Sequence, residues 1–234
     1  MKKLKVTIIG YGGMGSFHAK LIQANPEVEV HGIFDILESR QQAGEADGYS
    51  AYASLEEALN DACADTILIA TPNDVHKEIA VQALEAGKHV ICEKPVTLNS
   101  EELSEIMHTA KEHERVFMVH QNRRWDSDFQ MVKDLYENRK IGEVFHIESR
   151  VQGANGIPGD WRHLKAHGGG MLLDWGVHLL DQLLYMIDSP LAKVAADLSY
   201  ILGDEVDDGF ISYLTFENGV TALVEVTHLL EEGL

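Results

Sequence analysis

Apolar residues in the first half of the chain come in short solid runs separated by stretches of helical spacing. The runs Lys5–Gly10, Val28–Asp35, Thr66–Thr71, His89–Glu93 and Val116–Gln121 are rich in Val and Ile. They are too short for helices and read as strands buried on both faces. Tyr49–Ala53 is a further short extended piece. Between the runs, Asn73-Asp74 is placed to cap a helix Val75–Ala86 that stops at Gly87, and Ser100 with Glu102 and Leu103 opens one reaching His113. Strands alternating with helices predict an α/β domain over residues 1–121, built on a parallel sheet.

After Gln121 the pattern changes. An amphipathic helix over Phe129–Glu137 precedes a strand at Glu143–Gln152, a loop rich in Gly, Pro and Asp, and an apolar helix from Gly170. Strands follow at Ala192–Leu202 and Phe210–Thr227, the latter turning at Glu217-Asn218-Gly219. Residues 122–234 therefore predict an α+β domain with a mostly antiparallel open sheet. Thr221–His228 reads as a mid-sheet strand with only Leu229–Leu234 behind it. The expectation is a truncated domain, or an edge covered by a partner subunit.

The first strand runs into Gly10-Tyr11-Gly12-Gly13-Met14-Gly15, a Gly-x-Gly-x-x-Gly turn opening a helix. Such a turn lets backbone approach a pyrophosphate and points helix N–H groups at it. Asp35 closes the second strand 20 residues past Gly15, the offset of a carboxylate that accepts from a ribose 2′-hydroxyl. The expected cofactor is NAD, since Asp35 repels a 2′-phosphate and Ile36 brings no compensating charge. Arg40 keeps a case for NADP.

Composition is that of an ordinary globule, 45% hydrophobic and 24% charged. A net charge of −19 argues against nucleic acid and anionic membrane as partners. Cys63 and Cys92, both in apolar surroundings and without CxxC spacing, predict a reducing cytoplasm. The basic start Lys2-Lys3 is followed by too short an apolar run for a signal peptide, and no segment approaches a membrane span.

Two further segments carry chemistry. On a regular helix Asp174, His178 and Asp181 form a narrow polar stripe in an otherwise apolar sequence. A buried acid–His–acid stripe needs partners, so it reads as functional, with a structural hydrogen-bond network as the alternative. Metal ligation is weighed and set aside for want of further ligands, and no metal is expected. Lys94, in Glu93-Lys94-Pro95, ends a parallel strand where open α/β sheets bind ligands.

Gly10-x-Gly12-x-x-Gly15, Ala70-Thr71-Pro72-Asn73 with His76, Glu93-Lys94-Pro95 and Gly169-Gly170 through Asp174, His178 and Asp181 occur in one order. In this the chain resembles the glucose–fructose oxidoreductase / inositol dehydrogenase / rhizopine-catabolism family of NAD(P)-dependent enzymes. The resemblance implies a Rossmann domain followed by a domain whose open sheet mediates homodimers or homotetramers. It assigns Lys94, Asp174 and His178 as the catalytic group. Thr71, Pro72 and Asn73 would line the cofactor, with Glu93, Lys94 and His76 alongside, although His76 reads equally well as a packing residue. Family members are longer, so late strands and some of the pocket wall are expected to be missing.

Oxidation of a secondary alcohol needs a base, which His178 supplies, and a group that polarises the oxygen, which Lys94 supplies. Asp174 would orient the imidazole or hold substrate. Arg123, Trp161 and Arg162 are candidate walls for a polar small-molecule substrate such as a sugar, polyol or cyclitol, with interface ion pairing as the alternative for Arg123 and Arg124. Trp125 reads as core. Two other functions fit the pattern: a dinucleotide-binding regulator without turnover, and an NAD-dependent glycoside-cleaving enzyme.

Overall fold

The structure is a computed structural model that describes residues 3–153, 157 and 159–227. The chain divides into two compact units, Met1–His120 and Gln121–Leu234. The predicted closing segment after Thr227 lies outside the described residues. Among the described residues no helix is long and apolar enough to cross a membrane.

Unit 1 holds strands β1 (Leu4–Ile9), β2 (Val28–Phe34), β3 (Thr66–Ile69), β4 (His89–Cys92) and β5 (Phe117–Val119). Its helices are α1 (Gly13–Gln23), α2 (Glu38–Ala46), α3 (Leu55–Asn60), α4 (His76–Glu85) and α5 (Ser100–Glu112). The strands form one parallel sheet in the order β2-β1-β3-β4-β5. Alternation along β3 explains why the runs read as solid. Ile67 and Ile69 face a core with Ala80, Ala83, Leu84 and Ile106, while Leu68 faces another with Val6, Ile8, Ala19 and Ile33. The order reverses beside β1, which places the topological switch point at the glycine turn. Tyr49–Ala53 contributes only a single bridge, Ala51 to Ile33.

Two helix starts differ from the sequence reading. Asn99, not Ser100, caps α5 by accepting from the Glu102 N–H. Residues 73–75 form a tight turn of their own, and α4 begins after Val75 without a side-chain cap.

Unit 2 contains α6 (Ser127–Glu137), β6 (His146–Gln152), α7 (Val177–Met186), β7 (Leu191–Ser199), β8 (Gly209–Phe216) and β9 (Thr221–Thr227). Its sheet runs β6-β9-β8-β7, antiparallel except for the β6–β9 pair. One face is closed by helices: Phe210, Leu214, Phe216, Ala222, Val224 and Val226 pack with Leu179, Leu183, Met186 and Phe129. β7 is exposed along nearly its whole length, Val194 at 64%. Trp125, expected in the core, is 77% exposed. Cys63 is also exposed, whereas Cys92 is buried.

Candidate functional site

The glycine turn leaves β1 at its carboxyl end and delivers the chain into α1. A Cβ on Gly15 would lie 1.9 Å from the Gly10 carbonyl oxygen, so only glycine lets helix and strand approach this closely. Gly12 caps α1 without a side-chain bond, and the first turn carries no acid. Beyond Gly13 there is open space, with nothing within 4 Å of a Cβ built there. The free N–H groups and the positive end of the helix dipole therefore face a volume suited to a diphosphate.

Asp35 is buried at 3%, and its carboxylate accepts from the Tyr11 N–H at 2.8 Å and the Leu37 N–H at 2.9 Å. These bonds fix its position against the glycine turn. Arg40 approaches Asp35 at 3.5 Å, and its guanidinium lies 3.3 Å from a Cβ built on Gly12, so it overhangs the turn. Met14, in the first turn of α1, is exposed.

Lys94 follows β4 with a cis bond to Pro95, and its two chain neighbours are held by histidine side chains. On one side His76, with no exposed surface, contacts the Pro95 carbonyl at 2.9 Å and the Thr71 carbonyl at 3.0 Å. Burial pulls the His76 pKa below its ordinary value, while the two carbonyls work in the opposite direction. His76 therefore braces the Thr71-Pro72 loop from within and offers no surface to a ligand. Asn73 is likewise buried, whereas Thr71 and Pro72 are partly exposed.

On the other side Glu93, 6% exposed, accepts from His18 Nε2 at 2.6 Å and His120 Nδ1 at 3.0 Å on one oxygen. Its other oxygen accepts the Lys94 N–H at 3.2 Å. Burial works to raise the Glu93 pKa, but the hydrogen bonds from His120 and His18 outweigh it and hold the carboxyl down at about 2. Sequence reasoning gave Glu93 a place at the cofactor and missed both histidines. The donor atoms of the three residues lie within 4.8 Å of one another, a spacing shared with divalent-metal sites.

In unit 2 the predicted helix is irregular at its start. Leu172–Gly176 is a π-helical turn, in which the Val177 N–H reaches back five residues to Leu172. Such turns recur at functional sites. Gly170, at φ +101°, turns the chain into it where a Cβ would lie 2.3 Å from Asp207 Oδ1. Asp207 fixes the start by accepting the Leu172 N–H at 2.8 Å on its carboxylate and the Met171 N–H at 3.0 Å on its carbonyl. Burial raises the Asp207 pKa.

The predicted stripe resolves into separate partnerships. Asp174 is met by Arg162 Nε at 3.4 Å, and Arg162 also holds Asp160 at 2.6 Å and lies over the Trp161 ring at 4.6 Å. Trp161, Arg162 and Asp174 thus form one cluster. His178 is 5% exposed and meets the Trp175 ring edge-on at 6.1 Å. Asp181 is structural, accepting both forks of Arg124 at 2.7 and 2.6 Å. Arg123 stacks on Trp175 at 4.2 Å and bonds Asp126 at 3.1 Å. It supports the helix that carries Asp174 and His178.

Comparison with known proteins fits this geometry. Residues 4–121 match a family described as "Oxidoreductase family, NAD-binding Rossmann fold", and residues 129–233 match the "GFO/IDH/MocA C-terminal domain". The chain is 31% identical to scyllo-inositol 2-dehydrogenase (NADP(+)) IolW of Bacillus subtilis over 220 residues, 92% of this chain and 60% of IolW. An NAD-binding protein from Listeria innocua superposes on the whole chain with TM-score 0.97 at 60% identity, the match covering 69% of that protein. GenD2 from gentamicin A biosynthesis, solved in complex with NAD, superposes with TM-score 0.92 at 26% identity, again over the whole chain and 68% of GenD2. The chain thus spans under two-thirds of IolW's length. With a family match across both units, it belongs to the Gfo/Idh/MocA oxidoreductases, and its first unit is their NAD-binding Rossmann domain.

Proposed function

We propose that the protein is an NAD-dependent dehydrogenase acting on a secondary alcohol of a sugar, polyol or cyclitol. The observation that carries this reading is Lys94, held at the carboxyl edge of the parallel sheet with both neighbours clamped. When bound, the nicotinamide supplies the hydride acceptor. The rest falls to the protein. The Lys94 ammonium stabilises charge on the substrate oxygen as it becomes a carbonyl. The His178 imidazole takes the hydroxyl proton. Asp174, tied to Arg162, orients that imidazole or a substrate hydroxyl. The donors of Arg162 and the Trp161 ring suit a hydroxyl-rich ligand, and kinship with an inositol dehydrogenase points the same way.

Replacing Lys94 with Ala is expected to lower the rate of NADH formation about 10²- to 10⁴-fold. NADH affinity, read by fluorescence titration, should hardly change. Stopped-flow fluorescence on a panel of inositols and free sugars tests this, and undiminished turnover refutes it. Release of aglycone from glycosides without net NADH would favour the glycoside-cleaving alternative. Assembly through the unit 2 sheet is part of the same reading, supported by the exposed Val194, Leu198 and Tyr213. A monomeric native mass would overturn it.

A further inference from the structure

We propose that Glu93, gripped by His18 and His120, is a positioning residue for Lys94; this rests on the reading of Lys94 as the group at the reacting oxygen. Two separate parts of unit 1 converge on the carboxylate. His18 comes from α1, the helix opened by the glycine turn, and His120 from just past β5. The His120 N–H donates to the Cys92 carbonyl at 2.8 Å, and the Glu93 N–H donates to the Ile69 carbonyl at 3.0 Å. The backbone at the end of β4 is therefore fixed before its side chain is considered.

With both imidazoles on Oε1 and the Lys94 N–H on Oε2, the carboxylate cannot rotate without breaking a bond. At 6% exposure little water can replace a lost partner. The distances decide between this network and a metal site. Ligands of a tetrahedral zinc lie about 3.3 Å apart, as metal–ligand bonds of about 2.0 Å require. The two histidine–carboxylate separations are 2.6 and 3.0 Å, which is hydrogen-bond spacing. His76 holds the far side of Lys94 through Pro95, so removal of the Glu93 carboxylate frees one flank only. The lysine would then shift while the nucleotide site stays intact.

The test compares Glu93→Ala, Glu93→Gln and Lys94→Ala. NADH formation is measured with scyllo-inositol, myo-inositol and D-glucose, NADH binding by fluorescence, and the Lys94 position in a crystal structure of Glu93→Ala. Glu93→Ala is expected to lower kcat about 10- to 100-fold, the scale of a roughly 1 Å misplacement, with NADH affinity retained. Glu93→Gln should recover part of the loss, because an amide still offers an acceptor to one side of the cluster. In the crystal, Lys94 should be displaced by about 1 Å. Wild-type kcat in Glu93→Ala, or loss of kcat in proportion to NADH affinity without recovery in Glu93→Gln, overturns the proposal. If Lys94→Ala itself keeps wild-type turnover, or no test substrate is oxidised, the functional reading of Lys94 fails separately. The crystal structure then decides, and an unmoved lysine rejects the positioning role.

Discussion

Substituting Gly15 with Ala tests the packing argument at its tightest point. The new methyl would start 1.9 Å from the Gly10 carbonyl oxygen and 3.4 Å from Ile8 Cγ2. Reaching even the 3.0 Å that real contacts keep requires a retreat of about 1 Å. The carbonyl has little room for it. The Gly10 N–H is bonded to the Phe34 carbonyl at 2.8 Å, and a Cβ on Gly10 would already meet the Ala70 carbonyl at 2.6 Å. Backbone therefore presses on backbone, and α1 has to move off the sheet. Overpacking costs about 1–3 kcal/mol where side chains can adjust, so a cost of about 3 kcal/mol or more is expected here. Gly13→Ala is the matched control, because a Cβ there meets nothing within 4 Å. It should be neutral, or stabilising by at most about 1 kcal/mol through helix propensity. Urea denaturation followed by far-ultraviolet circular dichroism reads both variants. NADH titration of Gly15→Ala should show weakened binding as the helix N-terminus shifts. Equal stability for the two alanine variants would refute the reasoning.

Three other outcomes follow from single residues. Arg40→Ala should weaken NADPH binding about tenfold more than NADH binding, the scale of one charge-assisted hydrogen bond, because the guanidinium overhangs Gly12 and is 47% exposed; equal losses in the two titrations would refute this. Asp61 accepts from the Tyr52 hydroxyl and the Cys63 N–H, which hold its pKa at about 2 against an ordinary 3.8. A depressed carboxylate stabilises the fold above its unfolded pKa and loses that contribution as pH falls. Asp61→Asn should therefore flatten the acid limb of stability between pH 3.8 and about 2, and an unchanged limb would refute the assignment. Asp181→Ala should cost unit 2 about 1 kcal/mol in urea denaturation, a modest figure because Arg124 is partly solvated; a loss well below that would make the pair ornamental.

The sequence was legible where a local pattern and a global fold agree. Ile67, Leu68 and Ile69 form a solid apolar run because both faces of a parallel sheet are covered. The glycine turn and Asp35 were visible because their spacing follows from the strand–turn–helix geometry itself. The histidine pair on Glu93 was not, since His18 lies 75 residues from its partner and a lone helical histidine carries no local signal. Trp125 misled because size and apolarity do not report exposure. The pairing of Asp181 with Arg124 and the π turn at the start of the stripe were not visible, because a uniform 100° per residue describes neither. Asn99 and Ser100 are equivalent capping residues one position apart, and only the bond to Glu102 separates them.

The π turn also constrains how this stretch of chain can change in length. Asp207 anchors one end through Met171 and Leu172, and at the other Gly176 abuts the Phe210 ring, 2.8 Å from where a Cβ would stand. Leu173, Asp174 and Trp175 lie between these two anchors. Deleting Leu173 would allow ordinary α-helical bonding, and because a π turn holds one residue more than an α turn of the same angle, both anchored ends would keep their orientation. A tidier helix would keep its moorings and change only what stands between them, so shortening here should displace Asp174 more than it weakens the fold.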